Sequence, residues 1–495
     1  MKYILTADIG TTTVKVVLVD EEYHIIDECS HAIHTHYDGK QIEQNPEDWY
    51  EAFCSSVKAV LNSDKAKEAD ISAADIRSIC FSGQMQDLIL IGKDGKNLRP
   101  AILYSDTRGD EQARDILEKL TVKEVQEITG NHFDGSMPFA KLLWLKENEP
   151  DQFSMIDKIV FSAKDYIVYR LTGICVTDVI CASTTGLMSI REKKWQRLWM
   201  EAFNINDQML PLLQYPSELV GNVSKIAEVE SGLLCDTEVF TGIGDAGATT
   251  LASGLTSSGE YNVNLGTSGW VASVSDDISK KDGIFNMAYV TPGTYINVVP
   301  VYNAGNVHNW ISRTIATDDA QEDRYGYIKK LLEESVPGSH GTLFLPYLIG
   351  ERYPVADDKI RGAFIGITPE TTKQDMARAC LEGVAFSLKG GFKGDIKTIS
   401  LIGGGAKERI WCQIFSDIMN HDIIVFENAE YMPSVAVAAM ADIGSGKFAD
   451  WNAFMKQMKD SDSCEVFSPD GEAALLLNEM YETFQKIYPA LKSLY

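Results

Sequence analysis

Two stretches of apolar and β-branched residues, each broken by a short turn of glycine, threonine and serine, stand about half a chain length apart. They cover residues 3–20 and residues 260–275. Apolar runs on both sides of such a turn predict the two strands of a β-hairpin. Two hairpins of one kind, one at the head of each half, indicate a duplicated α/β unit. Glycine turns between β-branched runs are common, so two unrelated hairpins remain an alternative at this point.

Between and after the hairpins, strand-like runs alternate with segments that have helical spacing. Residues 46–61 are predicted to form a helix, because their apolar positions recur at helical intervals and Asn45 is a suitable N-cap. A second helix is predicted over residues 408–420. Short strands are predicted at residues 78–83, 158–163, 238–244, 398–402 and 423–427. This alternation predicts the α/β fold class.

A stretch of small residues at positions 251–259, just before the second hairpin, is the least disruptive place for a domain boundary. Two domains are therefore predicted, over residues 1–252 and 253–495. A chain of 495 residues with 45% hydrophobic and 23% charged residues is long enough for two globular cores.

A formal net charge of −26 argues against nucleic acid or an anionic membrane as the main partner. It does not exclude a nucleotide, because backbone N–H groups and a bound cation hold phosphates without net basic charge. No apolar run approaches the roughly 20 residues that span a bilayer. The early Asp8 argues against a secretory signal. The nine cysteines include no CxxC pair, which indicates a reducing, cytoplasmic setting.

The turn of the first hairpin has the donors that a phosphate needs. They come from one glycine and three threonines: Gly10, Thr11, Thr12 and Thr13. Asp8 at the preceding strand end is suited to Mg²⁺, held mostly through water. Lys15 either leans toward the phosphates or faces solvent. The plain alternative is a polar turn without a ligand.

Two further glycine-rich segments follow in the second half. Residues 265–269 form the turn of the second hairpin, and residues 402–407 contain three consecutive glycines between a strand and a helix. Three glycines in a row cost backbone entropy and offer no evident packing benefit. We therefore interpret them as a place where a phosphate or a flat ring approaches the backbone. The P-loop pattern GxxxxGK[ST] is absent.

Asp245 stands where a strand-like run ends and a helix of small residues begins. An aspartate in that place is usually an N-cap, and spacing alone favours that interpretation. The alternative is a general base that takes the proton of a substrate hydroxyl during phosphoryl transfer.

Residues 83–87 and 104–108 also follow apolar runs, so both lie where strands end. Open α/β sheets place ligand contacts there, and Gln, Asp and Arg side chains suit a sugar. The alternative for Asp106 and Arg108 is a surface salt bridge.

These segments together resemble the FGGY carbohydrate kinases, which share the actin-like ATPase (ribonuclease H-like) fold. Residues 136–148 are similar to the first signature of that family, and residues 350–368 with 375–388 are similar to the second. Residues 244–250 match the segment that contains the catalytic base. The resemblance implies two similar domains with ATP in the cleft between them and the sugar deeper inside. Closure of the cleft would exclude water.

The resemblance also implies roles for individual residues. Asp245 is the expected general base and Asp8 the expected Mg²⁺ site. The expected ATP contacts are Thr11, Thr12, Thr13, Lys15, Gly266, Thr267, Gly305, Asn309, Gly404, Gly405 and Arg409. The expected sugar contacts are Gln84, Met85, Gln86, Asp106, Arg108 and Asp245. A homodimer is the oligomeric state that the family suggests.

Within the family, the likeness is to kinases of the ketopentose D-xylulose, which form the 5-phosphate. It rests on Gln84, Met85, Asp106, Arg108, residues 265–269 and residues 350–354. Gln86 replaces a usual histidine, Ala246 a usual asparagine, and Tyr104 a usual tryptophan, while Thr107 replaces a small residue. Such changes alter how hydroxyl groups are recognised. Gluconate or another polyol or ketose is therefore the alternative substrate. An actin-like ATPase without kinase activity is the alternative from another class.

Overall fold

The computed structural model describes residues 2–281, 283–317, 323–426, 431–460 and 464–495. Within these ranges each half of the chain builds one seven-stranded sheet with helices packed against it. No helix in the described ranges is both long enough and apolar enough to span a membrane.

The helices and strands have the following bounds. Those of the first half are β1 (Tyr3–Ile9), β2 (Thr13–Val19), β3 (Ile25–Ala32), β4 (His36–Asp38), β5 (Gln41–Gln44), α1 (Pro46–Leu61), α2 (Asp64–Glu68), β6 (Ile76–Gly83), β7 (Met85–Gly92), β8 (Ala101–Ile102), α3 (Asp110–Leu120), α4 (Val122–Thr129), α5 (Pro138–Asn148), α6 (Pro150–Ser154), β9 (Ile156–Ser162), α7 (Ala163–Thr172), β10 (Val176–Asp178), α8 (Val179–Ser183), β11 (Met188–Ser189), β12 (Lys194–Trp195), α9 (Arg197–Ala202), β13 (Leu212–Gln214), β14 (Leu219–Asn222), α10 (Lys225–Ser231), β15 (Glu238–Phe240), β16 (Ile243–Gly244) and α11 (Asp245–Ala252). Those of the second half are β17 (Glu260–Leu265), β18 (Gly269–Ser275), β19 (Phe285–Ala288), β20 (Tyr295–Val301), α12 (Gly305–Ile315), α13 (Arg324–Glu333), β21 (Leu343–Leu345), β22 (Ala363–Ile365), α14 (Lys373–Lys389), β23 (Thr398–Ile402), α15 (Arg409–Met419), β24 (Ile423–Phe426), α16 (Met432–Gly444), α17 (Trp451–Asp460), β25 (Cys464–Phe467) and α18 (Gly471–Leu491).

The two large sheets share the same arrangement of six strands. The first runs β3-β2-β1-β6-β15-β14, with β16 also paired to β6, and the second runs β19-β20-β18-β17-β23-β24-β25. In each, the first strand of the hairpin pairs in parallel with the next strand, β6 or β23. That strand pairs in parallel with a third, and an antiparallel strand closes the edge. The predicted duplication of an α/β unit is confirmed, while the boundary between residues 252 and 253 stays a prediction.

Local sequence accounts for the first hairpin and the helix after it. The residues of β1 are buried except for the half-buried Asp8, as expected for an apolar strand in the centre of a sheet that is covered on both faces. Helix α1 begins at Pro46, where the missing N–H costs nothing, and Asn45 caps it by accepting from Glu47 N at 3.4 Å. The predicted helix over residues 46–61 is confirmed.

Some predicted strands differ in detail. The run at 238–244 forms two short strands, because Gly242 between them has φ +74. A Cβ at Gly242 would lie 2.4 Å from the carbonyl oxygen of Phe81, so only glycine fits this break. Strand β9 ends at Ser162, and Ala163 already begins α7. Strand β24 covers residues 423–426, and the predicted end at Glu427 lies outside the described residues.

The halves join through a shared core. Helix α16 of the second half packs against β1, β6 and α11 of the first half. Its Asp442 is buried and accepts hydrogen bonds from Arg77 and from the Tyr23 hydroxyl, both in the first half. The second half thus forms part of the support beneath the first sheet.

Candidate active site

Three neighbouring parallel strands of the first sheet end together. Ile9 of β1 and Gly244 of β16 are both in register with Gly83, the last residue of β6. The carboxyl ends of parallel strands share one edge of a sheet, which is where α/β proteins bind ligands. This edge brings together Asp8, Gln84 and Asp245, which are far apart in the sequence.

The turn of the first hairpin is held from two sides. Gly10 N donates to Thr13 O at 2.9 Å and closes the turn. The Thr11 hydroxyl donates to Gln84 Oε1 at 2.7 Å, and Gln44 Nε2 donates to Thr11 O at 2.6 Å. Thr12 and Thr13 are exposed. The turn that we predict to bind phosphate is therefore coupled directly to the loop that we predict to bind sugar.

Asp8 and Lys15 face each other across the two strands of the hairpin. The Ser82 hydroxyl donates to Asp8 Oδ1 at 2.7 Å. Burial raises the pKa of Asp8, and Ser82 and Lys15 oppose that rise. Lys15 Nζ lies 2.6 Å from Glu28 Oε2 and 4.8 Å from the centre of the Tyr431 ring. Lys15 is thus already in an ion pair, and its phosphate contact stays a prediction.

Asp245 is the first residue of α11, and Gly244 occupies the N-cap position. The N-cap interpretation of Asp245 is therefore wrong. Its Oδ1 accepts from its neighbour Ala246 N at 2.7 Å, and solvent reaches its side chain. Surrounding protein atoms, together with the charge of Asp8, raise the pKa of Asp245 to about 7. The carboxylate is thus accessible to solvent, with a pKa close to neutral pH.

Close packing on Gly244 fixes the position of the neighbouring Met85. A Cβ at Gly244 would lie 2.4 Å from Met85 Sδ, so only glycine leaves room for this side chain. Met85 is buried, with 8% of its surface exposed, against the strand that ends at Gly244, directly before Asp245.

Gln86 has the backbone φ of +67 that non-glycine residues rarely adopt. Its side-chain amide donates to Ser136 Oγ at 2.8 Å, and Ser136 donates to Asp134 Oδ1 at 2.5 Å. Its carbonyl oxygen accepts from the buried Lys141 Nζ at 3.2 Å. Neither Ser136 nor Lys141 is among the predicted site residues. The available signal was their place in the first family signature.

Asp106 and Arg108 form a buried pair, not the surface salt bridge that was the alternative. Arg108 Nε lies 3.0 Å from both Asp106 oxygens, and its terminal nitrogen contacts Asp106 Oδ2 and Glu43 Oε1 at 2.7 Å each. Ile42 N also donates to Asp106 at 2.7 Å, and Arg108 lies over the Trp144 ring at 4.9 Å. Arg108 Nη1 is buried and has no hydrogen-bond partner among the described residues. The charges of the pair are balanced within the protein, and its contact with a sugar stays a prediction.

The turn of the second hairpin is tied to the start of α12. Gly305 N donates to Gly266 O at 2.8 Å, and Asn306 N donates to Thr267 O at 2.9 Å. A Cβ at Gly305 would lie 2.5 Å from Gly266 O, so the approach requires glycine. The exposed Thr267 stands at the tip of this turn.

The three consecutive glycines have different roles, which corrects the view that none serves packing. Gly403 has φ +89, and a Cβ at Gly405 would lie 2.7 Å from Leu265 Cβ and 2.8 Å from the Trp411 ring. A Cβ at Gly404 would meet no described heavy atom within 4 Å. Gly404 therefore presents bare backbone to open space.

The remaining predicted nucleotide residues lie around α12 and α15. Asn309 is exposed and accepts from Arg324 at 3.1 Å. Its neighbour His308 lies between the rings of Tyr325 and Trp411, and burial lowers the pKa of His308 to about 4. Arg409 pairs with Glu465, so its nucleotide contact stays a prediction.

Comparison with known proteins covers both halves. The model of the FGGY family of carbohydrate kinases, N-terminal domain, matches residues 3–252, and that of the C-terminal domain matches residues 261–441. The xylulose kinase of Staphylococcus epidermidis is 32% identical over 99% of this chain and 97% of its own length. The gluconokinase of Bacillus subtilis is 30% identical over 86% of this chain and 85% of its own length.

The fold is similar to that of solved carbohydrate kinases. The ligand-bound xylulose kinase from Lactobacillus acidophilus is 26% identical and superposes with a TM-score of 0.85, over 100% of this chain and 99% of that one. The expected actin-like ATPase fold with two similar domains is confirmed.

Proposed function

Because the chain belongs to the FGGY family of carbohydrate kinases, it transfers a phosphoryl group from ATP to a sugar, and we propose that this sugar is the ketopentose D-xylulose, phosphorylated at its 5-hydroxyl. Family membership over both halves also removes the alternative of an actin-like ATPase without kinase activity. The substrate is proposed from the relatives named xylulose kinase and from the charges around the sugar loops.

The single observation that supports the mechanism best is the position of Asp245. It combines an accessible carboxylate, a place beside the first hairpin turn, and a pKa of about 7. A general base works best when its pKa is close to the working pH. Asp245 accepts the proton of the attacking hydroxyl while the γ-phosphoryl group is transferred in line.

The two hairpin turns and Gly404 supply the groups that orient ATP. The first turn offers exposed threonine hydroxyls, and the second offers Thr267 beside the start of α12. Backbone N–H groups in turns and at helix starts suit phosphate oxygens. Bare backbone at Gly404 leaves space for close approach of the nucleotide.

The donor set also fits Mg²⁺. Asp8 is a half-buried carboxylate, and its charge is close enough to raise the pKa of Asp245. A hard cation favours such oxygen ligands and relieves the repulsion between two carboxylates. Asp8 would hold the ion, which when bound neutralises charge on the phosphates.

A neutral sugar suits this site better than an aldonate. Arg108 is already paired with Asp106 and Glu43, and Lys141 is buried against backbone carbonyls. Arg108 keeps one terminal nitrogen, Nη1, without a hydrogen-bond partner among the described residues, but its charge is already balanced by Asp106 and Glu43. Lys141 is fully buried, so neither cation offers an unbalanced, accessible positive charge to a substrate carboxylate. The negative charge of Asp245 would repel the carboxylate of an aldonate. Gluconate is the second candidate, because a relative is named gluconokinase.

A coupled ADP-release assay over pentuloses, hexuloses, polyols and aldonates tests the substrate. We expect kcat/KM for D-xylulose to exceed that for gluconate by about tenfold or more, the scale that one lost polar contact or charge repulsion produces. The Asp245→Asn protein, prepared in parallel, serves as the blank for contaminating kinases. Preference for another sugar would overturn the choice of D-xylulose and leave the family assignment intact.

A further inference from the structure

A buried ammonium joins the two loops that we assign to the sugar. Lys141 on α5 donates from Nζ to Gln86 O at 3.2 Å and to Leu103 O at 2.7 Å. Gln86 lies at the start of β7, and Leu103 directly follows β8. The Lys141 side chain thus links the first loop, at residues 84–86, to the residue just before the second loop, at residues 104–108. It fixes the distance between the two loops.

Asp87 makes a second link between the same two loops. It follows Gln86 in the chain, and its Oδ1 accepts from Tyr104 N at 3.3 Å. Its other oxygen, Oδ2, is buried and has no hydrogen-bond partner among the described residues. Lys141 and Asp87 are both fully buried. We name these two residues the brace.

Charge explains why the brace needs both members. A buried ammonium on two neutral carbonyls is costly unless a negative charge is near. Burial lowers the pKa of Lys141 to about 8, and the charge of Asp87 acts against that fall. Burial raises the pKa of Asp87 well above its usual range, and Lys141 opposes that rise. Each charge therefore stabilises the other inside the protein.

The brace acts on a strained residue. Gln86 has φ +67, a conformation that persists only when surrounding contacts impose it. Lys141 holds its carbonyl oxygen, and Ser136 holds its amide nitrogen at 2.8 Å. In the described part of the chain this leaves the amide oxygen of Gln86 as an acceptor for a hydroxyl. The direction of that acceptor therefore depends on the brace.

We propose that Lys141 and Asp87 are positioning residues that fix Gln86 relative to the second loop and so select which sugar presents a hydroxyl to Asp245. The proposal rests on the proposed function of these loops as the sugar pocket. The brace is not a catalytic pair, because both side chains are buried beneath the loops.

The test compares two lysines of the same helix. Lys146 on α5 also donates to two backbone carbonyls, those of Phe203 at 2.6 Å and Asn204 at 3.1 Å, away from the sugar loops.

For Lys141→Met we expect KM for the sugar to rise about tenfold or more, because small displacements of positioning groups are costly. The ratio of kcat/KM between D-xylulose and other ketoses and polyols should change as well. ADP binding, measured by calorimetry, should stay within about twofold. For Lys146→Met we expect both KM and the sugar ratio to stay within about twofold.

Asp87→Asn gives an independent test if Lys141→Met does not fold. The asparagine keeps the acceptor for Tyr104 N and removes the charge, so we expect the same change in KM and sugar ratio at smaller size. Folded Lys141→Met or Asp87→Asn protein with unchanged KM and sugar ratio would overturn the proposal. So would equal effects of Lys141→Met and Lys146→Met. All variants are assayed on whichever sugar the unaltered enzyme prefers, so an error in the choice of D-xylulose does not decide the outcome for the brace.

Discussion

The two halves share the same arrangement of six strands and place different side chains at the sheet edge. In the first half, the carboxylates of Asp8 and Asp245 lie at strand ends, and the brace adds a buried pair of ionisable side chains on β7 and α5. In the second half, the corresponding turns offer glycines, among them Gly266 and Gly404, and the hydroxyl of Thr267. We propose that one copy of this scaffold supplies the acid–base chemistry and that the other offers close backbone approach to the nucleotide. The difference teaches that topology fixes where a site lies, while side chains fix what it does.

Buried charge beneath the first sheet extends this contrast. Lys164 Nζ contacts Asp165 at 2.6 Å and Asp178 at 2.9 Å, and all three side chains are fully buried. Asp178 adds to the shift that raises the pKa of Asp245 to about 7, after burial and the charge of Asp8. Charges within the first half therefore contribute to the raised pKa of the proposed base.

The strongest way to break the comparison is Asp245→Asn. If acid–base chemistry belongs to the first half, kcat should fall about 10²–10⁴-fold, the usual scale for one proton acceptor. ADP binding by calorimetry should change little, because we propose that the two hairpin turns and Gly404, and not Asp245, hold the nucleotide. Asp110→Asn is the matched control, since Asp110 also begins a helix after a glycine N-cap. Near-normal turnover of Asp245→Asn would refute the role of the base.

The second test acts on the other half. In Gly305→Ala the new Cβ would lie 2.5 Å from Gly266 O and displace the turn. We expect KM for ATP to rise about tenfold or more, because misplaced binding groups lose orientation. KM for the sugar should change much less. Gly471→Ala is the control, because Gly471 also begins a helix and a Cβ there would meet no described heavy atom within 4 Å. Equal rises in KM for ATP and KM for the sugar in Gly305→Ala would contradict the division of roles between the two halves.

The pH profile sharpens the contrast further. With a pKa of about 7, Asp245 is protonated and inactive as a base in acid and becomes ionised as the pH rises. We expect kcat/KM for the sugar to fall about tenfold per pH unit below that value and to level above it. Circular dichroism across the range confirms that the protein stays folded. A profile that is flat from about pH 5.5 to 8 would show that Asp245 titrates as an ordinary carboxyl group, whose pKa is about 3.9.

The smallest effects are expected from Lys15→Ala and Arg409→Ala, one in each half. Each cation already has a carboxylate partner on its own side of the molecule, Glu28 or Glu465. Partly exposed pairs of this kind are worth about 0–1 kcal/mol, so KM for ATP should rise about threefold or less. Steady-state kinetics with varied ATP measures this. A much larger rise in either variant would show that its cation leaves the ion pair to bind phosphate.

Some features of the site followed from the sequence and others did not. The hairpins, the cap of α1 and the strand ends at Asp8 and Gln84 were predictable, because they depend on neighbouring residues and on simple periodicity. The position of Asp245 as the first helical residue was not, because Gly244 takes the cap. The links of Lys141 to Gln86 and Leu103 join segments that are remote in the chain, so no local pattern announced them.

The sequence by itself determined two α/β units, each headed by a glycine and threonine hairpin, because turn chemistry and the period of apolar residues act over a few positions. Only the tertiary structure decided which polar groups meet. Lys15 pairs with Glu28, and Gly405 packs closely against Leu265. Asp8 lies close enough to Asp245 to raise the pKa of Asp245. Burial and charge depend on atoms that distant segments bring together, and those distances exist only after the chain has folded.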